Sequence, residues 1–341
     1  MSKIKLSDVA RQAGVSKSTV SQYLNGRFHY MSPETKTVIE KTIKQLNYVP
    51  NSIAQSLKTN KTKKIGVVVR DIAGAYTGRA IRGMDDYCKQ TGYDLLIYNS
   101  DFDAKSEAKA IESLKQLHVD GLIIASSGQN TDLLAATFSD QTPIVQFQLE
   151  RDNQSKNIVV SDYVSAAYQA TQHLLKLGHR RICFVTQNYQ DVKSRAERFQ
   201  GYQEALAAQN IATDPSLILN WHRENGFARS PRKLLTENKP PTAFFTQHLA
   251  ITTELLEELD TGAINIPDDV SVLGFDELPM AEFFKTPITV IKQQPYTIGV
   301  EAAKVVIQRI NTPDQPNERI LVPCSLIERE SCSPPKIDKD A

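Results

Sequence analysis

The chain has 341 residues, 40% hydrophobic and 23% charged, with a net charge of +1. That is an ordinary globular composition, long enough for two or three domains, and it holds no apolar run able to span a bilayer and no apolar leader for export. Four scattered cysteines, Cys88, Cys183, Cys324 and Cys332, form no C-x-x-C pair, so reduced thiols in a cytoplasmic protein are expected, with no metal and no cofactor.

The charge is unevenly placed. Residues 1–64 hold twelve Lys/Arg against three acids, a net of +9, and the remainder carries −8. A compact basic segment on an acidic body fits a polyanion-binding head. Three short helices are predicted within it. Leu6, Val9, Ala10 and Ala13 recur at helical spacing and stop at Gly14. Ser16 caps a second helix that turns Val20 and Leu24 inward and closes at Gly26. Ser32-Pro33-Glu34 opens a third, whose buried stripe is Val38, Ile39, Thr42, Ile43 and Leu46. The tight Ala-Gly-Val-Ser connection between the first two is helix-turn-helix spacing. In "GVSKSTVSQYLNG" the second helix presents Lys17, Ser18, Ser21 and Gln22 outward, side chains able to reach phosphates or base edges in a major groove.

These residues, with "LNYVPNSIAQSLKTNKTKKIGVVV" after them and "LVPCSLIERESC" near the C-terminus, resemble the LacI/GalR family of bacterial transcription regulators over almost the whole chain. The resemblance implies a helix-turn-helix headpiece (1–47), a hinge helix and linker (48–62) and an α/β core of the periplasmic-binding-protein type with parallel sheets. The core's N-subdomain would take 63–161 with 291–322 and its C-subdomain 162–290 with 323–333, leaving 334–341 as a disordered tail. The resemblance further implies a homodimer on a palindromic double-stranded DNA operator, with Ser7, Ser16, Thr19, Asn25, Tyr48, Asn51 and Lys58 adding to the DNA contacts. Gln22 stands where the family usually has Arg, which predicts adenine over guanine at the contacted base. Relatives that tetramerise carry a Leu-rich C-terminal helix, whereas this chain ends "SCSPPKIDKDA".

The hinge reading also has a physical basis. Pro50 fixes the entry to residues 51–58, which make about two helical turns, too few to be stable alone. Such a helix orders against a partner helix and DNA. Ala54 permits close helix contact, and Leu57 offers an apolar wedge for the minor groove.

From Ile65 short apolar strands alternate with helical stretches: "IGVVV", "YDLLIYN", "GLIIAS", "PIVQFQ", "RICFVT", "TAFFTQ" and "VSVLGF", with helices over 104–118 and 165–177 among them. This alternation predicts parallel sheets covered on both faces. "KQTGYDLLIYNSD" and "LKLGHRRICFVTQ" repeat the order helix end, Gly, strand, so two similar halves are expected. A ligand then belongs at the carboxyl ends of the strands, in the cleft between the halves.

By resemblance, Arg198 in "SRAERFQGY" matches the family's effector-binding Arg, and Asp276 at the end of "SVLGFD" its ligand Asp. Gln247 stands where many members have Asn, and His248 where they have Asp. Gly74-Ala75-Tyr76-Thr77 replaces a common N-P-F-F, keeping Tyr76 beside Asp71 at the cleft edge. Gln148, ending "PIVQFQ", joins the set, and Trp221, the only tryptophan, is read as stacking on a sugar face or filling core. Replacing an acid by His248 removes a negative charge near Arg198 and adds a donor. This favours an acidic effector of the 2-keto-3-deoxygluconate type over a neutral sugar, and "YLNGRFHYMS" resembles regulators of that pathway.

Two other classes share parts of the pattern. A catalyst with a basic head lacks support, since there is no G-x-G-x-x-G, phosphate loop, G-x-S-x-G or H-E-x-x-H. A solute-binding protein of a transporter requires export, and the N-terminus offers a DNA head instead. The expectation is a carbohydrate-responsive repressor, nucleoid-associated in the cytoplasm and not an enzyme.

Overall fold

The computed structural model describes residues 4–49, 61–138, 142–150, 157–190, 192–261, 264–277 and 279–336. Asn51, Ala54, Leu57 and Lys58 lie outside the described residues. The chain divides into two compact units, Met1–Thr62 and Lys63–Ala341.

The first unit is a three-helix cluster: α1 (Leu6–Gln12), α2 (Lys17–Leu24) and α3 (Pro33–Leu46). Gly14, at φ 69°, supplies the left-handed turn that lets α2 start three residues later, at Lys17. Ser16 Oγ accepts from the Thr19 amide at 3.1 Å and Ser32 Oγ from the Thr35 amide at 3.2 Å, each satisfying a helix-start donor. Val9, Val20 and Ile39 are fully buried, each contributing roughly 1.5–3 kcal/mol. The stripe on α3 is narrower than expected. Ile39 and Thr42 are buried, but Val38 is 46% exposed, because α1 and α2 cover only one side of this helix.

The second unit holds two parallel-sheet lobes. In the first run β1 (Lys64–Val69), α4 (Ala75–Thr91), β2 (Asp94–Asn99), α5 (Ala104–Gln116), β3 (Gly121–Ile124), α6 (Thr131–Thr137), β4 (Ile144–Phe147) and β5 (Ile158–Ser161). The second holds α7 (Tyr163–Lys176), β6 (Ile182–Thr186), α8 (Lys193–Ala207), β7 (Ile218–His222), β8 (Gly226–Phe227), α9 (Pro231–Leu234), β9 (Ala243–Thr246), α10 (Leu249–Thr261), β10 (Ser271–Phe275) and β11 (Thr289–Lys292). The chain then returns to the first lobe through α11 (Pro295–Asn311) and β12 (Arg319–Val322), and ends in the second with β13 (Ser325–Ile327). The sheet orders are β12-β5-β4-β3-β1-β2 and β13-β11-β10-β9-β6-β7-β8. Helices cover both faces, so the central strands are buried from end to end, as in β6, β9 and β10.

The return crossing begins after Lys292, because Thr289–Lys292 pairs with β10 and β13; the expected start at 291 cuts this strand short. Residues 334–336 also differ from the expected disordered tail. Lys336 Nζ meets Asp269 at 2.7 Å, and the carbonyl of Ser333 meets His179 Nε2 at 2.9 Å, so the chain is held to the second lobe up to this point. Residues 337–341 lie outside the described residues.

Candidate functional site

In the first unit Lys17 and Ser18 are exposed on α2, while Ser7, Thr19, Ser21 and Gln22 are half-buried on α1 and α2. Ser16 is committed to capping, and Asn25 Nδ2 donates to the Ser21 carbonyl at 2.6 Å, closing the other end of α2. Tyr48 departs from its expected role as a DNA contact: it is 8% exposed and packs with Val9, Val20 and Ile39 in the core. Two of this unit's three acids are held in ion pairs on its surface. Asp8 pairs with Arg11, and Glu40 accepts from Lys44 at 2.8 Å, which holds its carboxyl below its usual range. Lys5, Lys17, Arg27, Lys36 and Lys41 have no ion pair among the described residues, a basic surface suited to phosphates.

In the second unit a cleft of about 530 Å³ separates the lobes. Its wall is made by the residues that follow the strands: Arg70 and Asp71 after β1, Gln148 after β4, Gln187 after β6, Arg223 after β7, His248 after β9, Asp276 after β10 and Gln293 after β11. That is where the backbone of a parallel sheet leaves room for a ligand. Gln148 and Asp276 take positive φ, 70° and 79°, sparsely populated values that redirect side chains at the strand ends. A larger cavity, about 680 Å³, opens at the other ends of β6, β9 and β10, near His179, Thr242 and Val270. Among the described residues, none that directly follows the carboxyl end of a strand lines it.

Arg198, on α8, is only 7% exposed. Its guanidinium carbon lies 4.0 Å from the ring centre of Tyr163 and 4.4 Å from that of Phe275. Nη1 donates to the Ser194 carbonyl at 3.2 Å, but Nε has no partner, and neither has the buried hydroxyl of Tyr76. Two buried polar atoms without partners beside one cavity mark where a ligand would bond. Burial pushes the Asp276 carboxyl up, opposed by Arg198 and by the hydrogen bond from Gln293 Nε2. Gln293 is fixed in turn by Ser161 Oγ, which donates to its Oε1 at 2.6 Å. The His248 imidazole is pushed down to about 3, mainly by burial and further by Arg198, Arg195 and Arg223. Its Nδ1 faces the Ile251 amide at 3.5 Å and its Nε2 faces Gln187 Oε1 at 3.2 Å, which fits a neutral ring protonated on Nε2.

Of the eight expected effector residues, Asp71, Tyr76, Gln148, Arg198, His248 and Asp276 line the cleft. Two do not. Trp221 is 2% exposed; its Nε1 donates to Glu254 at 2.6 Å, and its ring meets the His248 ring edge-on at 5.4 Å. It supports His248 from behind and is not free to stack on a sugar. Gln247 is fully buried, accepting from Thr186 Oγ1 at 2.9 Å and donating to the Arg195 carbonyl at 3.1 Å, so it fixes α8 rather than facing the cavity. Arg70, Gln187 and Gln293 were missed, although each directly follows a strand and the carboxyl-end rule reaches them. Arg223, directly after β7, was missed in the same way, whereas Phe102 and Arg195 carry no such signal.

Residues 5–51 match the family described as "Bacterial regulatory proteins, lacI family", and residues 171–332 match a "Periplasmic binding protein-like domain". The EndR protein of Paenibacillus polymyxa is 31% identical over 92% of this chain and 93% of its own length. The HTH-type transcriptional repressor PurR of Histophilus somni is 30% identical over 96% and 98%. Among solved structures, the transcriptional regulator CelR–cellobiose complex superposes with a TM-score of 0.69 at 27% identity, covering 96% of this chain and all of that one. The lac repressor dimer bound to operator and an anti-inducer shares the fold at a TM-score of 0.80 and 23% identity over 97% and 99%. The chain belongs to the lacI family of bacterial regulatory proteins. It is a DNA-binding transcription regulator of helix-turn-helix type with an effector-binding core.

Proposed function

We propose that this regulator is a homodimeric repressor of carbohydrate-utilisation genes. Its hold on a palindromic operator is set by a small polyhydroxylated acid in the inter-lobe cleft. The observation that carries the effector class is Arg198: a buried guanidinium with an unpartnered Nε, clamped between two rings beside the Tyr76 hydroxyl. Such a group suits a carboxylate, which gains charge-assisted bonds there, while Asp276 and Gln148 serve hydroxyls. Related structures holding cellobiose and, in a regulator from Enterococcus faecium (26% identical, TM-score 0.68), ribose support a sugar-derived ligand. On the head, Lys17, Ser18, Ser21 and Gln22 are the residues assigned to the groove, with Gln22 favouring adenine. Asn51, Ala54, Leu57 and Lys58 are assigned to the hinge. The reading gives the chain no catalytic role and places it on cytoplasmic DNA; no described helix is long and apolar enough to cross a membrane.

Calorimetry with six-carbon sugar acids and their neutral aldoses, alongside operator binding with and without each, tests this. Acids should bind and shift operator affinity, neutral analogues should not, and Arg198→Ala should lose at least about tenfold in acid affinity. Tight binding of an uncharged sugar, indifferent to Arg198→Ala, would reject the acidic effector.

A further inference from the structure

The cleft carries more positive charge than one carboxylate requires. Six basic side chains line it, Arg70, Arg79, Arg195, Arg198, Arg223 and Lys292, against three acids, Asp71, Asp276 and Glu277. Glu277 is already engaged, by Arg329 at 2.8 Å and Lys292 at 3.9 Å. Asp276 is drawn to Gln293, and burial disfavours its charged form.

The excess has a second focus apart from Arg198. Phe102, in the turn between β2 and α5, is a 50% exposed aromatic at φ 61°, directly after Asp101 at φ 50°. Two consecutive non-glycine residues in the left-handed region cost energy, and so little burial of the ring does not offset it. What the turn achieves is placement. The guanidinium carbon of Arg70, from the first lobe, lies 5.0 Å from the ring centre, and that of Arg223, from the second, lies 5.1 Å from it. One ring therefore gathers two like charges from opposite lobes at the cleft mouth. Arg223 has no carboxylate partner among the described residues. Repulsion between the two guanidiniums is relieved by an anion, and an anion bound to both draws the lobes together.

We propose that the cleft takes a ligand with two separated anionic groups, a phosphorylated sugar acid, whose carboxylate meets Arg198 and whose phosphate meets Arg223 and Arg70 around Phe102. This rests on the reading of Arg198 as the carboxylate site and extends it to a second one. Phosphate suits the outer position because it is doubly charged and offers several acceptors to two forked donors.

The test titrates the full-length protein with six-carbon aldonic and 2-keto-3-deoxy acids, each paired with its 6-phosphate and its neutral aldose. In the best-binding pair the phosphorylated acid should bind at least about tenfold tighter than the unphosphorylated one. Arg223→Ala should reduce that gap to about twofold or less by weakening the phosphorylated acid far more than the unphosphorylated one, with thermal unfolding confirming that the variant folds. The proposal is overturned if no 6-phosphate binds tighter than its parent acid, or if Arg223→Ala weakens both equally. Acids that outbind neutral sugars without any gain from phosphate would remove only the second site. Neutral sugars binding as tightly as acids would remove the carboxylate reading itself.

Discussion

His248 shows how one residue's surroundings set its chemistry. Its pKa is held at about 3 because burial and three arginines disfavour the imidazolium. The folded value is depressed below the unfolded one, near 6.5, so the neutral ring's contribution to stability is complete above pH 6.5. It is lost as the pH falls from 6.5 toward 3, at a limiting slope of about 1.4 kcal/mol per pH unit. Thermal melts at successive pH values should show this decline, and His248→Gln should flatten it. Between pH 6 and 8 the ring does not titrate, so binding of an unphosphorylated acid should be almost independent of pH there. A binding curve that strengthens steeply from pH 8 to 6 would mean that His248 acts as a cation.

At the scale of elements, α8 determines whether the cleft can work, because it carries both Arg195 and Arg198. It packs closely on α7 through Gly201, where an added Cβ would stand 2.2 Å from the Val164 carbonyl oxygen and 2.9 Å from the Tyr168 amide nitrogen. Both obstacles are backbone, so Gly201→Ala must push the helices apart. We expect a loss of about 1–3 kcal/mol in urea unfolding, as for overpacked cores, together with weaker effector binding as Arg198 shifts. Unchanged stability and affinity would mean that α8 tolerates displacement. This contact also marks how far the sequence could be read. Alternating strands and helices, the glycine ends of α4 and α7 at Gly92 and Gly178, and the caps at Ser16 and Ser32 are local signals, and the structure forms each of them. Arg198, His248 and Asp276 were reachable because they sit beside strand ends or in a recognisable motif. Trp221 and Gln247 were misjudged because nothing local distinguishes the residue facing the cavity from the one behind it. Arg223 and Phe102 come together only through tertiary folding, from segments more than a hundred residues apart.

At the scale of the whole molecule, the question is why a repressor of this design should be a dimer. Each lobe leaves apolar surface in water. On the first, edge strand β2 shows Ile97 at 38% exposure, and a shallow groove beside it is lined by Ile81 and Leu95. On the second, Met280 and Phe283 are 69% and 74% exposed within one turn. Large apolar side chains grouped on a surface, one set on an open sheet edge, are costly for a monomer and suit a second copy. A partner seated on both lobes would also register any movement between them, which gives the effector a route to the DNA. Sedimentation at micromolar concentration should therefore give twice the chain mass, and Ile97→Glu with Phe283→Glu should give monomers that still bind effector. One head reading one half-site loses the benefit of linkage, so operator affinity should fall about 10²–10⁴-fold. The monomer also meets about half the phosphates, so the slope of log affinity against log salt should roughly halve. A wild-type chain that sediments as a monomer and binds a half-site as tightly as a full palindrome would refute the dimer, since neither surface would then have anything to cover it during DNA binding.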